Sequence, residues 1–150
     1  MPRRSTLTNA QATILNGMQL ITYWKRAFLG NYANFKGRDS RPEFWWFYLA
    51  NLILTYGLFI IAGITGAGII GLIGLLYGLA AIIPGIAAGV RRLHDTGKSG
   101  WLMLISLIPL IGGILLVVFL AQAGNPGPNN YGAGAGGDTM PPPPPPPPAG

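Results

Sequence analysis

The chain alternates between short polar stretches and long runs without a charge, and the longest such run covers the 47 residues from Phe44 to Val90. A bilayer core about 30 Å thick takes about 20 helical residues. The run is therefore too long for one crossing and suits two. Ala62-Gly63-Ile64-Thr65-Gly66-Ala67-Gly68 supplies the Gly-rich turn between them. The pattern predicts one span over about Phe44–Ala62 and a second over about Ala67–Val90. A third uncharged run, Trp101 to about Ala121, holds fourteen Leu, Ile, Val and Phe residues. At about 0.3–0.6 kcal/mol each, these supply roughly 4–8 kcal/mol of insertion free energy. Pro109 and Gly112-Gly113 predict a kink within it. The fold class is all-α, an integral membrane protein with three transmembrane helices.

Upstream, apolar residues recur at Met18, Ile21, Trp24, Phe28, Tyr32 and Phe35, a helical stripe. It fits an N-terminal interfacial helix over residues 18–35, apolar side toward the lipid, and it fits equally a leader packed on the chain's own domain. Residues 1–17 are polar and free of acids, with a faint transit-peptide look. They read as a disordered extension, and Met18 offers an alternative start. The membrane domain then runs over residues 18–123. Residues 124–150 form a disordered Gly/Pro-rich tail, ending in a polyproline rod at Pro141–Pro148 that reads more readily as a spacer or low-complexity sequence than as a docking ligand for a proline-reading domain.

The polar stretches carry the end signals. Ser40 and Glu43 stand three apart before an apolar run, the capping-box pattern, and Pro42 falls in the first turn. Trp45 and Trp46 mark the entry of span one as an aromatic belt does. Arg91 and Arg92 close span two, where cations suit the negative end of a helix. Asp95 lies in reach of either arginine on a continuing helical turn. Gly97 suits a left-handed helix end, Ser99 caps the third span, and Trp101 anchors it at the interface. Pro84 predicts a kink near Ala80, whose carbonyl loses its partner.

Span two also carries a seam of small residues at Ala67, Gly71, Gly74, Gly78, Ala81, Gly85 and Ala88, at steps of 4 and 3 in alternation. Small residues let helix backbones approach closely, which is how membrane helices gain packing energy. The seam faces either the neighbouring spans or a second copy.

Charge narrows the partners. Only 9% of residues are charged, against roughly 25% in soluble domains, and the 10 Lys and Arg outnumber the 4 Asp and Glu. The cations flank apolar runs, so anionic lipid headgroups are the natural partner and nucleic acid is not. A homo-oligomer or a membrane protein partner is the other class of contact. Seven cations precede span one and the remaining three lie in Arg91–Lys98. With three spans, the positive-inside rule puts both groups, and the N-terminus, in the cytoplasm and the C-terminus outside.

Catalytic chemistry is not legible. The chain lacks cysteine and has a single histidine, so no metal site is implied and no cofactor either. Gly97-Lys98-Ser99 lacks the first glycine of a phosphate loop, Arg92 standing there instead. His94 and Asp95 are adjacent and do not face each other on a helix. No ionisable side chain lies within a span, against a coupled transporter.

At the polar stretches a resemblance emerges. Phe35-Lys36-Gly37-Arg38, Arg41 and Glu43-Phe44-Trp45 resemble the entry motif of the bacterial membrane family known as domain of unknown function 805, of the YhaH/YhaI type. Arg91-Arg92-Leu93-His94-Asp95 with Ser99-Gly100-Trp101 is similar to its central motif. Asn130-Tyr131-Gly132 is similar to its closing N-x-YG element, with Asn129 as an extra residue. The resemblance covers about Trp24 to Gly132 and implies a small bacterial inner-membrane protein without an assigned activity.

Together these readings predict a non-enzymatic, multi-pass inner-membrane protein acting through lipid or protein contacts at a cytoplasmic basic loop. The candidate contact or anion site comprises Arg38, Arg41, Glu43, Arg91, Arg92, His94, Asp95, Lys98 and Trp101. The two motifs are expected to meet, with Arg91 or Arg92 paired to Glu43 or Asp39. The alternatives are a subunit of an oligomeric channel or exporter, joined through the small-residue seam, and an enzyme on lipid headgroups using His94 and Asp95.

Overall fold

The computed structural model describes residue 18 and residues 20–134, and within them the chain is helical. The expected extension at 1–17 and the proline rod lie outside the described residues. A leading helix, α1, covers residues 20–30 and ends in a π-helical turn at Arg26–Gly30. Two long helices follow, α2 (Arg41–Thr65) and α3 (Gly68–Asp95). Both are long and apolar enough to cross a membrane. A 3-10 helix (Gly100–Leu107) and α4 (Ile111–Ala121) complete the described helices.

The helix ends obey the local rules. Ser40 caps α2 in a full capping box, its hydroxyl accepting from the Glu43 N–H while the Glu43 carboxylate accepts from the Ser40 N–H. Gly66, at φ +67, ends α2 in the left-handed region and permits a two-residue turn into α3. The helices thus extend the expected spans by a turn at the charged end. Ser99 caps the 3-10 helix through the Trp101 N–H at 3.3 Å.

α2 and α3 pack along the small-residue seam. A Cβ on Gly71 would touch Ala62 at 3.6 Å, one on Gly74 would press Leu58 at 3.2 Å, and one on Gly78 would meet Thr55 at 3.7 Å. Near the charged end, Gly85 faces the Tyr48 hydroxyl, which donates to the Gly85 carbonyl at 3.0 Å. The seam therefore lies inside the chain, against α2. Large apolar residues on the outer faces, such as Leu52, Ile60, Ile69 and Leu76, are more than half exposed, as lipid contact requires.

α1 follows the second of its two readings and packs on the helix pair. Ala27 is buried in the core, Phe28 stacks on Tyr77 at 5.6 Å, and the Trp24 indole donates to the Tyr77 hydroxyl at 2.9 Å. Tyr77 in turn donates to Asn51 at 2.6 Å, and Asn51 to the Phe47 carbonyl at 2.8 Å. This chain of bonds satisfies the one amide side chain inside α2, which lipid would leave bare. Tyr32 donates to the Ala80 carbonyl at 2.7 Å. Ala80 is four residues before Pro84, so the hydroxyl replaces the N–H that proline lacks. α3 runs unbroken through Pro84.

The third apolar run departs from a single rod, and this is the main correction to the sequence reading. It is a hairpin of two arms. Ile108 is extended, as a residue before proline prefers. Leu110 then takes φ +66 and ψ −58, the centre of a strained γ-turn closed by the Ile111 N–H on the Pro109 carbonyl at 2.8 Å. The Gly112 N–H bonds the Ile108 carbonyl at 3.0 Å and Pro109 brings no donor of its own, so the reversal leaves few bare polar groups. The arms touch so closely that a Cβ on Gly112 would overlap the Ile105 carbonyl oxygen.

α4 accordingly runs back to the end of the pair from which the 3-10 helix departed. Arg92 of α3 donates to the Leu120 carbonyl at 2.9 Å and to the Gln122 carbonyl, and Arg41 at the start of α2 reaches the Ala121 carbonyl. Each arm is about 16 Å long by helical rise, half of a core about 30 Å thick. Residues 122–134 continue across this same end, where Asn125 N–H bonds the Asp95 carbonyl at 2.8 Å. The boundary expected at residue 123, and the expected exit of the following segment at the opposite end, are corrected by these contacts for residues 124–134. Residues 135–150 of the expected tail lie outside the described residues.

Gly112→Ala is expected to lower the stability of the purified protein by about 1–3 kcal/mol, the cost of overpacking a closed contact. Gly113→Ala is the control: nothing lies within 4 Å of a Cβ there, so it is expected to be neutral or to stabilise by up to about 1 kcal/mol through helix propensity. Denaturation midpoints in one detergent measure both.

Candidate functional site: a buried arginine–aspartate cap

Four polar segments converge where α2 begins and α3 ends: the 31–39 loop, the last turn of α3, the end of α4, and residues 122–134. At their centre are Arg38, Arg91, Arg92, Asp39 and Asp95, all buried. Arg38 meets Asp95 through Nε at 3.0 Å and Nη2 at 2.9 Å, both nitrogens on Oδ1. Arg92 pairs with the other oxygen of Asp95, one helical turn away. Arg91 takes Asp39 by the same two-pronged grip, at 2.9 Å from each of Nε and Nη2. The two motifs therefore do meet, through Arg91 and Asp39, and Arg92 turns to Asp95 instead of Glu43. Glu43 serves the capping box and pairs with Arg26, whose side chain is half exposed.

Three buried guanidiniums face two buried carboxylates, so the cluster carries one excess positive charge. Backbone carbonyls absorb it. Arg38 donates to Gly127 at 2.7 Å and Gly132 at 3.2 Å, Arg91 to Asn31 at 3.4 Å, and Arg92 to Leu120 and Gln122. The acceptors at Leu120 and Gln122 belong to the C-terminal end of α4, whose dipole is negative there. Among the described residues no buried side-chain nitrogen or oxygen lacks a partner. Burial pushes the Asp39 carboxyl up from its ordinary 3.8, and the Arg91 bond and charge oppose that rise.

His94 stands at the edge. Its Nδ1 donates to the Gly37 carbonyl at 3.2 Å, and its ring stacks on Tyr131 at 3.8 Å between centroids and 4° between planes. Asn129 donates to the His94 carbonyl at 2.8 Å and accepts from the Tyr131 N–H at 2.9 Å, while its backbone bridges to Gly132. Asn129, previously set aside as an extra residue, is thus the asparagine of the closing element N-x-YG. Gly124 lies so close to Asp95 that a Cβ would overlap its carboxylate. Lys98 reaches Gln122 and sits over the Phe119 ring at 5.6 Å. Trp101, four-fifths exposed, stands outside the network, and Arg41 is exposed beyond its single carbonyl.

Of the sequence-predicted residues, Arg38, Arg91, Arg92 and Asp95 form one cluster, with His94 against its edge. Arg41, Glu43, Lys98 and Trp101 surround it. Arg38, Arg91 and Arg92, candidates for an anion site by sequence, have their guanidiniums engaged by partners within the chain. Sequence reasoning missed Arg26 and the whole 122–134 strap. The signal that marked the strap was Asn129-x-Tyr131-Gly132, overshadowed by its Gly and Pro neighbours.

A family comparison now fits this geometry. The sequence profile described as "Protein of unknown function (DUF805)" matches residues 32–133, from the loop ahead of the capping box to the strap. The chain belongs to this family. It is similar to "Inner membrane protein YhaH" of Escherichia coli (strain K12), at 42% identity over 112 residues, 73% of this chain and 93% of that protein. It is likewise similar to "Inner membrane protein YhaI" of the same strain, at 39% over 109 residues, 73% of this chain and 92% of that one. No solved structure matches it significantly. Like these relatives, this DUF805 member is an inner-membrane protein of bacterial type. The matched region begins and ends in segments that cross the cap, so the profile spans the buried arginines and aspartates, with Arg26 and Asn31 just ahead of it.

Asp95→Asn is expected to cost about 3–5 kcal/mol of stability, because it leaves two buried arginines without their shared carboxylate. Arg26→Ala is expected to cost no more than about 1 kcal/mol, as an exposed pair does. Chemical denaturation of the purified variants separates the two.

Proposed function

We propose that this protein is a non-enzymatic membrane scaffold that presents a rigid cytoplasmic cap for lipid or protein contacts. In this reading α2 and α3 cross the inner membrane, the hairpin of the 3-10 helix and α4 dips into the cytoplasmic half of the bilayer, and residues 122–134 return to the cytoplasm. The observation that carries it is the saturation of the buried arginines. Their charge is spent on ordering four segments into one surface, which leaves Lys36, Arg41 and Lys98 at its margin beside the headgroups. Positive charge on one end of a helix pair supports a cytoplasmic placement of that end.

The two rival readings lose their stated supports. A channel built through the glycine seam needs that seam free, and α2 occupies it. An enzyme using His94 and Asp95 needs the two to act together, yet Asp95 is held by two arginines and His94 turns its Nδ1 to the Gly37 carbonyl instead.

Reporter fusions test the topology. Fusions truncated after Gly134 are expected to be active with a cytoplasmic reporter and silent with a periplasmic one. A reporter placed in the Gly66–Ala67 turn is expected to behave oppositely. Periplasmic activity after Gly134 would overturn the hairpin and the shared face together.

A further inference from the structure

We infer that the edge of the cap holds one anionic phospholipid, its headgroup in a basic cleft and an acyl chain in an adjoining apolar groove. The inference deepens the lipid-contact reading by placing the contact, and it rests on the cap lying at headgroup level.

Two concavities meet at Tyr131. The first, about 540 Å³, is a largely apolar groove walled by Ile86 and Val90 of α3 and by Trp101 and Leu104 of the 3-10 helix, with Phe35 and Tyr131 at its mouth. Its size falls in the range of small-molecule sites. Ile86, Val90 and His94 are spaced four apart, so they line one face of α3 that runs from the cap toward the bilayer. The second concavity, about 270 Å³, is polar and includes Arg26, Lys36, Arg38, Arg91 and a single carboxylate, Asp39. Tyr131 lines both, and the consecutive residues Phe35 and Lys36 divide between them.

The juxtaposition selects the occupant. A soluble anion would use the cleft and leave the groove bare. A purely apolar chain would use the groove and leave the Lys36 ammonium in the cleft unmatched. An amphiphile with a negative headgroup uses both. Lys36 is exposed and its ammonium has no bonded partner among the described residues, unlike the arginines behind it. The His94–Tyr131 stack forms the wall between the two, and the Gly37 carbonyl takes the Nδ1 proton, so Nε2 is left with a lone pair toward the groove side. Trp101, at the groove's rim, marks the level where headgroup meets chain.

The test uses the full chain reconstituted in bilayers containing phosphatidylglycerol with a photoreactive group on one acyl chain, and in parallel the same chain on phosphatidylcholine. Peptide mapping is expected to place the adducts on Ile86–Val90 and Trp101–Leu104, with more adduct from phosphatidylglycerol. Leu104→Trp, which fills the groove, and Ile86→Phe as a second filling variant are expected to reduce the groove adducts to the background seen on other lipid-facing surfaces, whereas Ile60→Trp, on the exposed surface of α2, leaves them at the wild-type level. Lys36→Gln is expected to lower the preference for the anionic lipid about fivefold, the effect of one surface lysine, while leaving the chain adducts in place. Adducts spread evenly over the lipid-facing helices, or insensitive to both filling variants, would overturn the inference. Loss of the lipid preference upon adding inorganic phosphate would reassign the cleft to a free anion and also overturn it. Reporter placement after Gly134 is read separately, so a misplaced cap and an empty groove give different results.

Discussion

Three guanidiniums buried at the end of a lipid-embedded helix pair set the terms for the rest of the molecule. An ionised group out of water is costly unless it is paired and hydrogen-bonded, and two aspartates cannot neutralise three arginines. The balance comes from backbone carbonyls, and carbonyls in surplus occur where helices end. The C-terminal end of α4 supplies Leu120, Ala121 and Gln122 to Arg92 and Arg41. The same carbonyls would otherwise lack donors within the chain. The two deficits cancel, and this requires α4 to finish beside Arg92.

That requirement explains the hairpin. A straight helix from Trp101 to Ala121 would carry the α4 carbonyls about 30 Å away from the cap by helical rise. Pro109 and the Leu110 γ-turn instead fold the run back within half that depth, at the cost of one strained residue. Gly112 allows the arms to touch. The strain at Leu110 is thus tied to ion-pair satisfaction at the other end of α4. Tyr32 makes the same kind of repair on α3, bringing a hydroxyl from the loop to the carbonyl orphaned by Pro84.

The helix pair is the complement of this arrangement. The α2–α3 contact uses small residues and two aromatic hydroxyls, Tyr48 and Tyr77, so close backbone approach replaces large side-chain interdigitation. The large side chains turn to lipid, and the chain's polar resources concentrate at one end. There the strap of residues 122–134 closes over Asp95 and His94, and the concavities at its margin combine a basic lining with an apolar one. A protein built this way has its specificity in the cap, with the membrane helices as its support.

The sequence by itself determined the class, a turn within Ala62–Gly68, the capping box, the small-residue seam and the prominence of Arg91–Asp95. These are local or periodic properties, set by charge-free length, by spacing along a helix and by residues three or four apart. It also placed Asp39, with Glu43, among the candidate partners of Arg91 and Arg92, since both motifs fall at one membrane level. Only the tertiary structure decided which side the seam faces, how Arg92 and Glu43 are paired, and that the last apolar run doubles back. The number of uncharged residues from Trp101 to Ala121 suits a full crossing as well as a hairpin. What separates them is the demand of Arg92 for distant acceptors, and hydropathy does not register an acceptor 28 residues away along the chain. The strap was hidden for the same reason: its Gly and Pro residues resemble a linker, yet backbone carbonyls at Asn125, Gly127 and Gly132 bind Arg38 irrespective of the side chains they carry.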